Sequence, residues 1–267
     1  MRVAGIQFNI AWEDPEENFR RAEPMIEEAV RSRAGLVVLP EMFATGFSMN
    51  VERLGAMAPR IHAFLSTTAR RLEVTLVGGV VEPVVTSNGV RGRNLAVAYG
   101  PSGHELARYQ KIHPFSYGLE HRHYVGGDRL ALFHAGDIRV LPLVCYDLRF
   151  PEVFRARASE VDLMLVIANW PAARRDAWRA LLVARAIENQ CYLLGVNGVG
   201  TIGEWAHAGD SVLIDPLGRR VEEAQDAAAI VAGEVDAERV REVRNRYPFL
   251  RDRRPDVYRT LAPGVAS

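Results

Sequence analysis

The chain has 267 residues, 33 basic and 33 acidic, with 48% hydrophobic and 25% charged side chains. Zero formal charge and a pI near 7.1 exclude nucleic acid as a bulk partner. The longest uncharged run, Asn189 to Gly203, is broken by glycines and amides and falls short of the roughly 18 apolar residues of a membrane helix; two cysteines make no disulfide scaffold. These features, and an N-terminal apolar stretch too short for a signal peptide, point to a cytoplasmic chain with free thiols.

In chain order, Val3–Phe8 reads as a strand, Glu16–Ser32 has helical spacing and Leu36–Pro40 is a buried-type strand. A second helix is expected over Pro59–Leu72. Thr75–Val81, Asn94–Tyr99 and the more polar His104–Gln110 are strands. Leu130–His134 and Ile138–Cys145 pair across the turn at Ala135–Asp137. A helix over Pro151–Ser159, a strand over Leu163–Ala168 and a helix over Asp176–Asn189 follow. Cys191–Val196, Ser211–Asp215 and Ala229–Val235 complete the strands, and the tail from Asp236 is charged and partly helical. It is peripheral beyond about residue 248, and the last six residues, APGVAS, read as disordered. This order gives an α/β chain with a mixed sheet or two sheets and helices outside. No Pro/Gly/Ser linker divides it, so residues 1–267 are expected to form one domain. The run of strands between Thr75 and Cys145 counts against a barrel.

Lys111 is the only lysine; the other 32 basic residues are arginine. A lone lysine in so biased a chain suits a site that needs a compact point charge on a flexible stem. Four segments place a reactive group at or near a strand end: Glu41 after Leu36–Pro40, Lys111 after Arg108–Gln110, Cys145 closing Leu141–Val144, and Glu120 on the loop after Tyr117. Ligands of layered α/β folds gather outside such ends. A thiol there needs a base or a cation beside it. Glu41 can take the thiol proton and return it to leaving ammonia. Lys111 and the backbone N–H of Tyr146 can hold an oxyanion, and Glu120 can keep Lys111 charged. Cys191 reads as an inert core thiol. His113 as an alternative base and His121 and His123 with Glu120 as metal ligands are weaker patterns.

These motifs resemble the carbon–nitrogen hydrolase (nitrilase) superfamily. The resemblance rests on LPEMFATGFSMN, RYQKIHPF and LPLVCYDLRFPEVFR, with ANWP, ARAIENQCY and GDSVLIDPLG farther on, and runs from Met1 to about Tyr247. It implies a four-layer αββα sandwich, with mixed sheets and outer helices, assembled as a homodimer. It also implies Glu41 as general base, Lys111 as oxyanion stabiliser, Cys145 as nucleophile and Glu120 as accessory carboxylate, with no metal or organic cofactor. Within the family, Cys-Tyr-Asp-Leu-Arg-Phe-Pro is similar to the ω-amidase branch, and PEMF-x-TGFSM with IANWP to bacterial 2-oxoglutaramate amidases. Nitrilases proper usually carry Cys-Trp-Glu at the nucleophile.

The branch implies a small-molecule partner, the terminal amide of an α-keto acid, cleaved to the acid and ammonia through a Cys thioester. An α-keto carboxylate suits a bidentate guanidinium. Arg149, four residues after the thiol, and Arg174 are the candidates, with Phe43, Tyr117 and Trp170 as walls for the carbon chain. Other reactions on the same fold are hydrolysis of an N-carbamoyl amine or another aliphatic amide, or acyl transfer. A non-catalytic or thiol-sensing protein is a reading of a different class.

Overall fold

The computed structural model describes residues 1–87 and 89–261, so the disorder expected for APGVAS lies outside the described residues. The elements in order are β1 (Arg2–Gln7), α1 (Pro15–Arg31), β2 (Leu36–Val38), α2 (Val51–Arg71), β3 (Thr75–Thr86), β4 (Gly89–Tyr99), β5 (Glu105–Gln110), α3 (Glu120–His123), β6 (Phe133–Ala135) and β7 (Ile138–Val144). Next come α4 (Pro151–Ala156), β8 (Leu163–Ala168), α5 (Arg175–Asn189), β9 (Tyr192–Asn197), β10 (Val199–Ile202), β11 (Trp205–Ile214), β12 (Arg220–Gln225), β13 (Ala229–Glu234), α6 (Ala237–Arg246) and α7 (Pro255–Leu261). A tight 3-10 turn at Cys145–Arg149 links β7 to α4. Among the described residues no helix is long and apolar enough to cross a membrane.

The described strands form two open mixed sheets. The first runs β13-β1-β2-β3-β4-β5; the second runs β10-β11-β9-β8-β7-β6, with β12 beside β11. Strand alternation decides what each sheet touches. Val3, Leu36, Val38 and Val77 of the first sheet join Val140, Val144, Leu165 and Ile167 of the second in one buried cluster between the sheets. Their neighbours Ala4, Ile6, Val37 and Leu39 turn the other way, onto Ile26 of α1 and Ile61 and Leu65 of α2. Trp178, Leu182 and Ala186 of α5 cover the second sheet. Helix, sheet, sheet, helix is therefore the layer order. Burial on both faces explains why β2, β8 and β9 read as continuous apolar runs. The sheets approach closely at Gly5, where a Cβ would stand 2.7 Å from a methyl of Val196.

Several boundaries differ from the sequence reading. Helix α2 begins at Val51, capped by the Asn50 side chain accepting from the Arg53 N–H, and keeps Pro59 in its interior. Packing of Leu54, Ala58, Ile61 and Leu65 along one face outweighs the donor that proline lacks. Strand β12 escaped notice because RVEEAQ is charged and largely exposed, as an edge strand can be. Strand β10 is four residues long and continues into β11 through the turn at Gly203–Glu204. Helix α3 is a single turn.

Candidate active site

Five strands deliver the groups of the site to one end of the sandwich. In the second sheet, β7 and β8 are parallel with Val144 beside Ile167, so the residues that follow, Cys145 and Asn169, emerge close together. In the first sheet, β4 and β5 are antiparallel with Leu95 opposite Gln110. Lys111 therefore lies across from Asn94, and its N–H donates to the Asn94 carbonyl at 2.9 Å. Glu41 follows β2 and is tied to the other sheet: the Asn169 side chain donates to its backbone oxygen at 2.5 Å and the Asn169 N–H to its Oε2 at 2.8 Å. Gly79 lets this happen. A Cβ there would stand 2.2 Å from the backbone nitrogen of Met42.

Two of these turns are strained. Cys145 sits at φ +47° and Met42 at φ +45°, in the left-handed region that costs a side-chain-bearing residue of order 1–3 kcal/mol. The sharp turn lifts the thiol out of β7 at the head of the 3-10 turn, where the first N–H groups, Tyr146's among them, have no partner within the turn. Asp147 holds the turn in place, accepting from the Val144 N–H at 3.1 Å and the Tyr109 hydroxyl at 2.7 Å.

Glu41, Lys111 and Glu120 form a buried ionic cluster, each no more than 1% exposed. The Lys111 ammonium donates to Glu41 Oε1 at 2.9 Å and to Glu120 Oε2 at 2.9 Å. Asn94 donates to Oε1 of both carboxylates, at 2.7 and 2.9 Å, and the Phe115 N–H donates to Glu120 Oε2 at 2.5 Å. Burial alone pulls Lys111 down, but Glu120 and then Glu41 outweigh it and hold the ammonium well above its ordinary range. Burial, and next the Glu41 carboxylate, push the Cys145 thiol well above its ordinary value, and Lys111 only partly opposes them. The resting thiol is therefore neutral.

Cys145 opens into a cavity of about 330 Å³. Tyr146, Arg149, Trp170, Arg174 and Tyr117 all line it, as the sequence suggests. Arg149 lies 5.0 Å above the Trp170 ring, and Arg174 lies 5.2 and 5.8 Å from the rings of Phe115 and Tyr117. Neither guanidinium has a carboxylate partner among the described residues, whereas the adjacent Arg175 and nearby Arg179 are both taken by Asp210.

Phe43 does not line the cavity, contrary to the sequence reading. The chain reverses at Met42, whose carbonyl accepts from the N–H groups of Thr45 and Gly46. Phe43 points into the outer core, beside Phe19 and Phe64. Phe47 takes the place by the thiol, with Lys111 Nζ 5.3 Å from its ring centre. His113 is no partner for Cys145: its Nδ1 is 2.8 Å from Asp147 and its ring stacks on Phe150. His121 and His123 are exposed while Glu120 is buried, and no group of three metal-ligating side chains forms among the described residues. Cys191 is fully buried, its thiol pushed by desolvation to about 12. Sequence reasoning missed Asn94, Asn169, Phe47, His207 and the half-exposed Trp12 and Trp205 at the rim. Two signals were available: a polar residue at the head of the apolar stretch Asn94–Tyr99, and Asn169 directly after the strand Leu163–Ala168.

The carbon–nitrogen hydrolase pattern matches residues 2–245, and the chain belongs to that family. It is 37% identical over 254 residues to an ω-amidase of Yersinia enterocolitica, covering 94% of this chain and 96% of that one. It is 34% identical over 259 residues to the 2-oxoglutaramate amidase of Bacillus subtilis, covering 96% and 98%. Among solved structures it is similar to a CN-hydrolase superfamily protein from Xanthomonas campestris that carries an arsenic adduct in its active site. The TM-score there is 0.87 at 35% identity, covering 95% of this chain and 97% of the other.

Proposed function

We propose that this carbon–nitrogen hydrolase cleaves the terminal amide of a small α-keto acid, a 2-oxoglutaramate-like compound, to the acid and ammonia. The observation that carries the reading is the pair Arg149 and Arg174. Both lie on aromatic rings of the thiol's cavity and lack an acidic partner among the described residues. The likeness to ω-amidases and to a 2-oxoglutaramate amidase supports the same substrate class.

In the proposed reaction the Cys145 thiol passes its proton to Glu41 as sulfur attacks the amide carbon. Lys111 Nζ and the Tyr146 N–H hold the resulting oxyanion. Glu41 gives the proton to the nitrogen, the C–N bond breaks, and ammonia leaves a thioester on Cys145. Glu41 then takes a proton from water, the hydroxide attacks the thioester, the C–S bond breaks and the proton returns to sulfur. Glu120 does not exchange protons: its oxygens are occupied by Lys111, Asn94 and the Phe115 N–H, and it holds Lys111 in position. Arg149 and Arg174 receive the substrate carboxylate, with Tyr117 and Trp170 walling the carbon chain. We read the chain as one catalytic domain acting as a cytoplasmic homodimer.

The test is ammonia release from 2-oxoglutaramate, with succinamate, glutamine and an N-carbamoyl amino acid alongside, for wild type and Cys145→Ala. Release from the keto-acid amide, falling by roughly 10⁴-fold or more in the variant, is expected. Release from the carbamoyl compound alone would move the reading to another reaction of the family.

A further inference from the structure

We propose that the site also hydrolyses secondary amides: the leaving nitrogen can carry an aromatic group, which lies on a platform formed by Trp12, Ile202 and Trp205. The inference rests on the amidase reading and deepens it by naming what the leaving amine can be. Cavities of about 300 Å³ and more hold drug-sized ligands, and a keto-acid amide of about ten non-hydrogen atoms is smaller than that. The cavity at Cys145 measures about 330 Å³, so the primary amide leaves part of it unfilled. The lining divides by charge. Arg149 lies on Trp170, and Arg174 on Phe115 and Tyr117. Trp12, Ile202 and Trp205 line the same cavity and carry no charge. They meet at the tip of the β10–β11 hairpin. Ile202 pairs with Trp205 across the strands. The Trp12 ring closes on Gly203 of the turn and on Gly46, where a Cβ would stand 2.8 and 3.0 Å from it. Both tryptophans are nonetheless about half-exposed. Large apolar rings fixed in place yet left wet at the mouth of a site mark a surface for a ligand.

The position of the platform assigns the leaving group to it. The acid half of the substrate is fixed at both ends, its carboxylate by the arginines and its amide carbon by the Cys145 sulfur. Trp205 and His207 share one face of β11, because alternate residues of a strand point the same way. His207 bridges to Pro171, two residues after Asn169. Burial holds the His207 imidazole below its ordinary value, and the carbonyls of Trp205 and Asn169 and the Glu41 carboxylate partly oppose this. That face of β11 therefore looks toward Glu41, the group that hands its proton to the leaving nitrogen. A substituent on that nitrogen runs outward from Glu41 over Trp205 and Trp12. The reaction balances as for a primary amide. Sulfur bonds to the carbonyl carbon, the C–N bond breaks, the Glu41 proton goes to nitrogen, and a primary amine leaves in place of ammonia. An aromatic group laid on indole rings gains from buried area and from ring geometry alike.

The experiment measures amine release from 2-oxoglutaramate and from its N-benzyl derivative, for wild type, Trp12→Ala and Trp205→Ala. Wild type is expected to release benzylamine, with a KM roughly tenfold or more below that of the primary amide. Each alanine variant should raise the KM of the N-benzyl amide about tenfold or more, while kcat/KM on the primary amide moves by less than about threefold. A wild type that releases ammonia but no benzylamine overturns the inference and leaves the amidase reading standing. Equal losses on both substrates in the variants, or none on either, do the same; a wild type that turns over neither compound overturns both readings. A third substrate carries the benzyl group on the carbon chain beside the keto group. A tryptophan-dependent gain there and not for the N-benzyl amide would put the platform under the acid half and overturn the proposal. Should the variants fail to fold, binding decides. Cys145→Ala protein should bind the N-benzyl amide roughly tenfold or more tighter than the primary amide, and equal affinities would overturn the proposal.

Discussion

The floor and the mouth of the Cys145 cavity are built of opposite materials. The floor is dry and charged: one ammonium, two carboxylates and two asparagines, bonded to one another across both sheets. The mouth is aromatic and partly wet, with Trp12 at 44% and Trp205 at 50% exposure and Tyr117 at 77%. All floor residues but Glu120, which opens α3, lie in or just past strands, where sheet register fixes their positions. Mouth residues come from loops and from the first residue of β11, with Trp12 and Trp205 standing 193 positions apart in sequence. The floor's ionic cluster is over-determined, and removal of one charge strands the others. The mouth binds by stacked guanidinium groups and aromatic faces, which tolerate change one residue at a time.

The largest effect that tests this contrast is expected from Lys111→Arg. A planar guanidinium cannot occupy the space of a fully buried ammonium between two carboxylates. Activity should fall at least about 10²–10³-fold, and the melting temperature should drop as well. A wild-type rate in this variant would mean that the floor is not rigid. Next, Arg149→Ala and Arg174→Ala should each raise KM for the keto-acid amide about 10- to 100-fold, with kcat little changed. Hydrolysis of an uncharged amide such as propionamide should not respond; if it does, the arginines hold the site together instead of reading the substrate.

The two phenylalanines divide core from cavity. Phe43→Ala should cost about 3–5 kcal/mol in urea unfolding and leave KM unchanged, while Phe47→Ala should shift KM at small cost in stability. The reverse pattern would restore the sequence reading of Phe43. The smallest effect concerns the second thiol. The folded pKa of Cys191, about 12, lies above its unfolded value of about 8.5. Between these values the unfolded chain has lost a proton that the folded chain keeps. The stabilisation is full below about pH 8.5 and drains by up to about 1.4 kcal/mol per pH unit above it. Cys191→Ala should start about 1 kcal/mol less stable at neutral pH and decline more gently, read as urea midpoints at pH 7, 9 and 10.5. Parallel curves would place the alkaline loss elsewhere.

The same contrast governs what could be read from the sequence. Glu41 and Cys145 were legible because each stands at the end of an apolar strand, and Lys111 because it is the sole lysine and follows a strand; the sheets then have little freedom in where to put them. Glu120 was legible as a carboxylate near Lys111, but its burial in α3 was not. Phe43 was misplaced because alternation along Glu41–Phe47 breaks at a left-handed residue, Met42, which no local pattern announces. Trp12 and Trp205 join the rim through tertiary folding alone: Trp12 packs against Gly46 and Gly203, far away along the chain. The main strands in chain order followed from apolar runs and the four layers from the family resemblance, whereas β12 failed because an exposed edge needs no hydrophobic face.

The solitary lysine has a practical consequence. A protease that cuts only after lysine finds one bond in this chain, between Lys111 and Ile112, and in the folded state that residue is 1% exposed beneath the nucleophile. Scission into residues 1–111 and 112–267 therefore requires the floor itself to open. When opening and closing are fast relative to cleavage, the cutting rate measures the free energy of that opening. The chain thus carries a built-in gauge of how firmly its catalytic charges are locked, readable on a gel without any label.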